Sequence, residues 1–174
     1  MTGQTIWTVG HSNVKAEVLV DALRAAGIER LVDVRMYPRS RRNPQFNAES
    51  LAATLSEAGI EYVHRPSLGG RRTPREESSN LGLADEGFRG FADYMATPAF
   101  ESALRELVLG AKEGRTAIMC AESLPWRCHR SLISDALMAR GLSVVHIVGG
   151  KEREHALTAA ACVQGTKVTY PALL

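Results

Sequence analysis

The chain has 174 residues, a formal net charge of +2, and 45% hydrophobic and 23% charged residues. That length suits one domain with a buried core, and the two fractions lie near the globular average, which excludes disordered, collagen-like and coiled-coil chains. The opening MTGQTIWTVGHSN turns polar after a few residues, and no apolar run reaches the ~18 residues of a membrane span. No secretory leader and no membrane partner are therefore expected, and a cytoplasmic location is.

Residues 5–9 (TIWTV) form a short β-rich run closed by Gly10. Apolar positions then recur at helical spacing over 15–26 (Val18, Leu19, Ala22, Leu23, Ala26), and Gly27 stops them. Residues 30–34 (RLVDV) predict a second strand, 48–58 a helix closed by Gly59, and 60–64 (IEYVH) a third strand. The loop over 65–86 is too long for mere connection, and loops of that size are functional or disordered. Helices are predicted over 88–96 and 99–112, with Thr97 capping the second and Pro98 at its first position. Residues 115–119 (RTAIM) predict a fourth strand, 126–140 a helix stopped by Gly141, and 142–148 (LSVVHIV) a fifth strand. The tail predicts a helix over 152–162 and a short strand over 166–170. Strands alternating with glycine-stopped helices mean βα units. The expectation is a single-domain, three-layer α/β fold, with a mainly parallel sheet of about five strands and helices on both faces.

Ligands of open parallel sheets bind beyond the carboxyl ends of the strands. The first strand exits into Gly10-His11-Ser12-Asn13 and the second into Asp33-Val34-Arg35. The third ends in His64-Arg65, the fourth in Cys120-Ala121-Glu122, and the fifth carries His146. Every exit offers an ionisable or metal-binding side chain, which points to a shared site. Seventeen of the 21 basic residues are Arg, and eight fall in RMYPRSRR (35–42) and RPSLGGRRTPR (65–75). Arginine grips carboxylate or phosphate with a planar fork that lysine lacks, although loop arginines also serve simply as solvated surface.

Three cysteines, an odd number, argue for reduced thiols. Cys120 reads either as a site thiol or as a small buried hydrophobe. Cys128, flanked by Arg127, His129 and Arg130 at an expected helix start, is either a reactive thiol of lowered pKa or a packing residue. Cys162, on an alanine-rich segment, is expected in the core. Arg130 either completes an anion pocket at the helix start or pairs with Glu122 to close the loop. Asp33 and Arg35, two apart on a strand, share a face and can answer each other.

The phosphate-binding cysteine loop of tyrosine phosphatases needs arginine six residues after the cysteine. Here that position after Cys120 is Trp126, and Pro125 removes an amide donor, so the phosphatase and sulfurtransferase readings fail on spacing. Cys120, Cys128, His129 and His11 could converge on a metal, yet C-x7-C-H is not a usual zinc spacing, so no metal is assigned. Arginines interleaved with Tyr37, Phe46 and Tyr62 also suit unpaired bases.

Taken together, GHSN (10–13), DVRxxPxSR (33–41), PxF (44–46), LGG (68–70), CAE…CHR (120–130) and HI (146–147) resemble the family called domain of unknown function 488. The resemblance covers residues 5–147. It implies one α/β domain and no established activity, and its motif positions here, His11, Ser12, Asn13, Asp33, Arg35, Arg41, Gly69, Gly70, Cys120, Glu122, Cys128, His129 and Arg130, coincide largely with the strand exits. The leading expectation is an enzyme acting on an anionic, phosphate-bearing, nucleotide-type substrate. In it Arg35, Arg41, Arg130, Ser12 and Asn13 bind the anion, Cys120 or Cys128 supplies the thiolate, and Glu122, His129 or His11 moves protons. The rivals are a non-catalytic nucleic-acid-binding module, a metal-dependent enzyme and a Cys120–Cys128 redox switch. Nothing in the residues fixes a cofactor or an oligomeric state.

Overall fold

The structure is a computed structural model and describes residues 3–173. Five strands, β1 (Thr5–Gly10), β2 (Arg30–Asp33), β3 (Glu61–His64), β4 (Thr116–Cys120) and β5 (Ser143–Val148), run parallel in the order β3-β2-β4-β1-β5. A sixth strand, β6 (Lys151–Glu154), adds antiparallel to the edge of β5. The helices are α1 (Ala16–Ala25), α2 (Ala48–Glu57), α3 (Glu86–Met95), α4 (Pro98–Gly110) and α5 (Arg130–Ala139).

Alternation along β1 sorts the layers, because successive strand side chains point to opposite faces. Trp7 and Val9 join Leu19, Leu23, Leu51 and Leu55 beneath α1 and α2. Ile6 joins Phe91, Phe100, Leu104, Leu132 and Ile133 beneath α3, α4 and α5. The fold is therefore the expected three-layer α/β domain. Thr97 does cap α4, its hydroxyl accepting from Phe100 N at 3.3 Å, with Pro98 in the first turn.

Three local expectations are corrected. The tail forms no helix over 152–162. Gly149 and Gly150, both at positive φ (58° and 75°), make the two-residue turn that folds β6 back on β5. A hairpin of β7 (Cys162–Gln164) and β8 (Lys167–Thr169) follows, and it leaves Cys162 exposed rather than in the core. The helix expected over 126–140 begins only at Arg130, since Pro125–Arg127 winds into a 3-10 turn and Cys128 is extended at φ −141°. The long loop is ordered by Asp93 of α3, whose carboxylate accepts from Arg75 N (2.8 Å), Ser78 Oγ (2.7 Å) and Asn80 Nδ2 (2.7 Å).

The order also fixes where a ligand fits. β1 and β4 are neighbours, but the chain leaves β1 through α1 on one face and β4 through α5 on the other. A crevice opens where adjacent connections part, and His11 and Cys120 stand on its two sides.

Candidate functional site

Backbone comes first at this crevice. The ladder between β1 and β4 continues past the strands through His11 N to Cys120 O (3.0 Å) and Ser12 N to Ala121 O (2.9 Å). The loop after β4 crosses so closely that a β-carbon on Gly10 would lie 1.8 Å from Glu122 O, so only glycine fits. Ser12 then takes a left-handed φ of 50°, which for serine is an uncommon, strained conformation. That turn delivers the Ser12 carbonyl to His11 Nδ1 at 2.6 Å.

The two sulfurs meet. Cys120 Sγ and Cys128 Sγ are 2.7 Å apart, at 4% and 6% exposure. Arg130 Nε donates to Cys120 Sγ at 3.0 Å, while Arg130 N donates to Cys128 Sγ at 3.4 Å from the first turn of α5. His129 stands on the other side of Cys128, with Nδ1 3.4 Å from the sulfur. Its Nε2–H donates to Val34 O at 3.1 Å, which leaves Nδ1 to receive the thiol proton. Burial, the Cys128 sulfur and its charge push the Cys120 thiol well up. Burial works against ionising Cys128 too, but the Cys120 hydrogen bond, His129 and the Arg130 charge overcome it and hold that thiol well below its ordinary range. One proton on Cys120, shared toward a Cys128 thiolate, is the arrangement these contacts favour.

Arg130 is fully buried, and no carboxylate of the described residues pairs with it. Its Nη2 closes the loop through the backbone carbonyls of Glu122 and Ser123 rather than through the Glu122 side chain. Arg130 thus lies behind the sulfurs and not on the surface a ligand reaches.

Asp33 and Arg35 do answer each other. Arg35 Nε donates to Asp33 Oδ1 (2.9 Å) and Nη2 to Oδ2 (2.7 Å), with Phe46 O (2.7 Å) also accepting from Nη2. Tyr62 Oη donates to the same carboxylate at 2.6 Å. His11 donates Nδ1–H to the Ser12 carbonyl, so its Nε2 is the lone pair that accepts from Arg35 Nη1 at 3.2 Å. Four of the five guanidinium protons are thereby engaged, and one Nη1–H is left for a ligand. Burial, with the Arg35 and Arg130 charges assisting, lowers the His11 pKa, so the ring stays neutral, stacked 4.4 Å from Phe46.

These groups line a cleft of about 640 Å³, whose wall includes His11, Arg35, Cys120, Glu122, Cys128 and His129. Arg39 and Arg71 of the two arginine stretches, Arg127 and Tyr37 join them, as does Phe88, which the sequence had marked only as the start of a helix. Arg71 lies over the Tyr37 ring at 5.7 Å. Arg41 is exposed and away from this wall, because the Ser40 hydroxyl accepts from Arg42 N and Asn43 N and closes a turn that sends Arg41 outward. Ser12 and Asn13 are likewise off the wall, their bend being used to hold His11. Gly69 is buried, and Gly70 lets the His129 ring approach to where its own β-carbon would be, 2.6 Å from Cγ and Nδ1. Among the described residues no three His, Cys, Asp or Glu side chains form a group that could hold a metal ion, and no helix is long and apolar enough to cross a membrane. A separate hollow of about 540 Å³ beside the 75–80 loop carries neither cysteine nor histidine.

Fold and site together define a parallel-sheet α/β protein with a paired-thiol, arginine-rich cleft at the switch point of its sheet. The chain belongs to the family described as domain of unknown function DUF488, whose profile matches residues 15–137. The match is narrower than the span of the motifs: GHSN and His146-Ile147 fall outside it. Neither curated proteins nor solved structures gave a match.

Proposed function

We propose that this protein is an enzyme in which the Cys128 thiolate acts as nucleophile on an anionic, phosphate-bearing substrate of nucleotide type, held in the 640 Å³ cleft. The observation that carries the reading is Arg130, a fully buried guanidinium with no carboxylate partner among the described residues, bonded instead to Cys120 Sγ. A charge that deep needs an opposite charge, and the sulfur pair is the acidic group in contact with it. His129 Nδ1 takes the Cys128 proton, oriented by the Val34 carbonyl as a base is oriented by a third group in other nucleophilic sites. Arg35 offers its free Nη1–H, and Arg39, Arg71 and Arg127 add positive charge around the cleft. Tyr37 and Phe88 supply flat apolar surface for a base. Glu122, exposed on the wall, serves as a second proton carrier. His11, neutral and bonded at both nitrogens, orients Arg35.

Alkylation by iodoacetamide as a function of pH, read by mass spectrometry at each cysteine, tests this. Cys128 is expected to be half-reactive well below the ~8.5 of an ordinary thiol and to be protected by inorganic phosphate or adenosine monophosphate. Ordinary titration without protection by either anion rules the proposal out. Single-stranded nucleic acid is a second reading, favoured by Arg41 and Arg42, which extend the basic rim beyond the cleft toward solvent. It predicts affinity that falls steeply with salt as phosphate contacts release counterions.

A further inference from the structure

Thr8 and His146 are a polar pair where a parallel sheet ordinarily buries aliphatic side chains. They are register neighbours on β1 and β5, on the face covered by α5, at 0% and 4% exposure. Their hydrogen bonds form a chain whose direction follows from the Asp135 carboxylate when both histidine rings are neutral. Arg130 Nη1 donates to Thr8 Oγ1 at 3.0 Å, so the Thr8 hydroxyl hydrogen is free to donate onward to His146 Nδ1, 2.6 Å away. Accepting there, His146 carries its proton on Nε2 and donates it to His155 Nδ1 at 2.8 Å. His155 in turn donates from Nε2 to Asp135 Oδ1 at 2.8 Å. Asp135, fully buried on α5, is fixed by Thr158 N (3.0 Å) and by Tyr170 Oη (2.8 Å).

We infer that Thr8, His146, His155 and Asp135 are positioning residues that hold the Arg130 guanidinium against Cys120 Sγ and thereby set the ionisation of the Cys120–Cys128 pair. The inference rests on the thiolate reading above and adds these four residues to it. The carboxylate end orders the chain: an acceptor at Asp135 dictates a proton on His155 Nε2, and each tautomer dictates the next. The last consequence is that Thr8 presents only lone pairs to Arg130. A guanidinium anchored at Thr8 and at the Glu122 carbonyl has its Nε–H directed at the sulfur. His155 reaches the network because β6 turns back along β5, where His155 N donates to Val144 O at 2.9 Å. A helical tail would have carried it away.

The test is the pH profile of Cys128 alkylation in the full-length protein. The charged and titratable groups around the sulfur pair are Arg130 and His129 in contact, with His11, Arg35, Tyr37, Arg39, Arg71, Asp85, Glu122 and Arg127 on the cleft wall. These stay unchanged in Thr8→Val, which keeps the shape and deletes the hydroxyl. Thr8→Val is expected to raise the midpoint by about one pH unit, slowing reaction about tenfold below both midpoints, and Thr8→Ser to restore it. His155→Ala, which touches neither sulfur nor Arg130, moves the midpoint the same way and covers the case in which Thr8→Val does not fold. In the wild-type protein, ¹⁵N NMR is expected to find His146 protonated at Nε2 and bare at Nδ1. A low wild-type midpoint that neither variant shifts, or a His146 protonated at Nδ1, overturns this inference and leaves the thiolate reading standing. A wild-type midpoint at the ordinary thiol value overturns both.

Discussion

A β-carbon on Gly70 would lie 2.6 Å from Cγ and Nδ1 of His129, and 3.1 Å from its Cβ. The ring cannot retreat freely, since Phe91 packs edge-on against it at 5.1 Å. Gly70→Ala is therefore an overpacking change expected to cost about 1–3 kcal/mol. Because the displaced ring is the partner of Cys128, the same variant should raise the pH midpoint of Cys128 alkylation. Urea denaturation and the alkylation profile read the two effects, and a variant with wild-type values in both contradicts the close packing. The residue-level site was legible in part. Cys128, His129 and Arg130 stand adjacent in the chain, so their chemistry announces itself. Gly70, Thr8 and Asp135 act across long sequence distances, so Gly70 was marked only by the LGG of the family resemblance, and Thr8 and Asp135 were not singled out. The signal available was polarity out of place: a threonine and a histidine in runs that otherwise read as buried strand.

The elements show why periodicity found every strand and α-helix of the first 148 residues, with only the start of α5 misplaced, and failed after them. The inner strands β1, β2 and β4 are buried on both faces or nearly so, edge strand β3 is only half-buried, and the neighbours of all of them in sequence are amphipathic helices, so apolar spacing reports structure directly. Edge strand β6 is KERE, exposed at all four positions. It has no apolar pattern, and its existence rests on the Gly149-Gly150 turn and on open hydrogen-bonding groups of β5. The alanines of 156–161 then look helical by propensity, which tertiary pairing overrides. The long loop differs, for its order draws on a carboxylate of α3 as well as on bonds among its own residues and to Tyr170. Asp93→Asn keeps the shape but turns one acceptor oxygen into a donor facing groups that already donate: Arg75 N, Ser78 Oγ or Asn80 Nδ2. Leaving such donors unsatisfied costs about 1–3 kcal/mol. The expected result is loss of stability together with faster limited proteolysis between residues 70 and 85. A cleavage pattern identical to wild type would show that the loop is held by something else.

For the molecule as a whole, the buried ionic groups make stability depend on pH in a defined direction. Burial, with the charges of His155, Arg130 and Arg153 assisting and Asp135 opposing, lowers the His146 pKa from 6.5 to about 3. His11 is lowered as well, by burial first. As pH falls, the unfolded chain binds these protons near 6.5 while the folded chain does not, so the equilibrium moves toward unfolding. The stability His146 contributes is full above about 6.5 and is lost progressively toward about 3. Cys128 acts in the same sense over its own range: lowered in the folded state, its contribution is full above the ordinary thiol pKa and is lost as pH falls through the folded value. Cys120, raised, contributes below the ordinary value and loses that contribution at alkaline pH. Urea midpoints measured at pH 7, 6 and 5 are thus expected to fall steadily, and His146→Asn to reduce the slope by about one proton. The comparison is clean because a variant can be less stable overall without changing slope; only removal of a group that titrates differently in the two states changes it. An unaltered slope in His146→Asn would mean that the histidine is charged in the folded protein, and the ordered hydrogen bonds from Thr8 to His155 could not then exist.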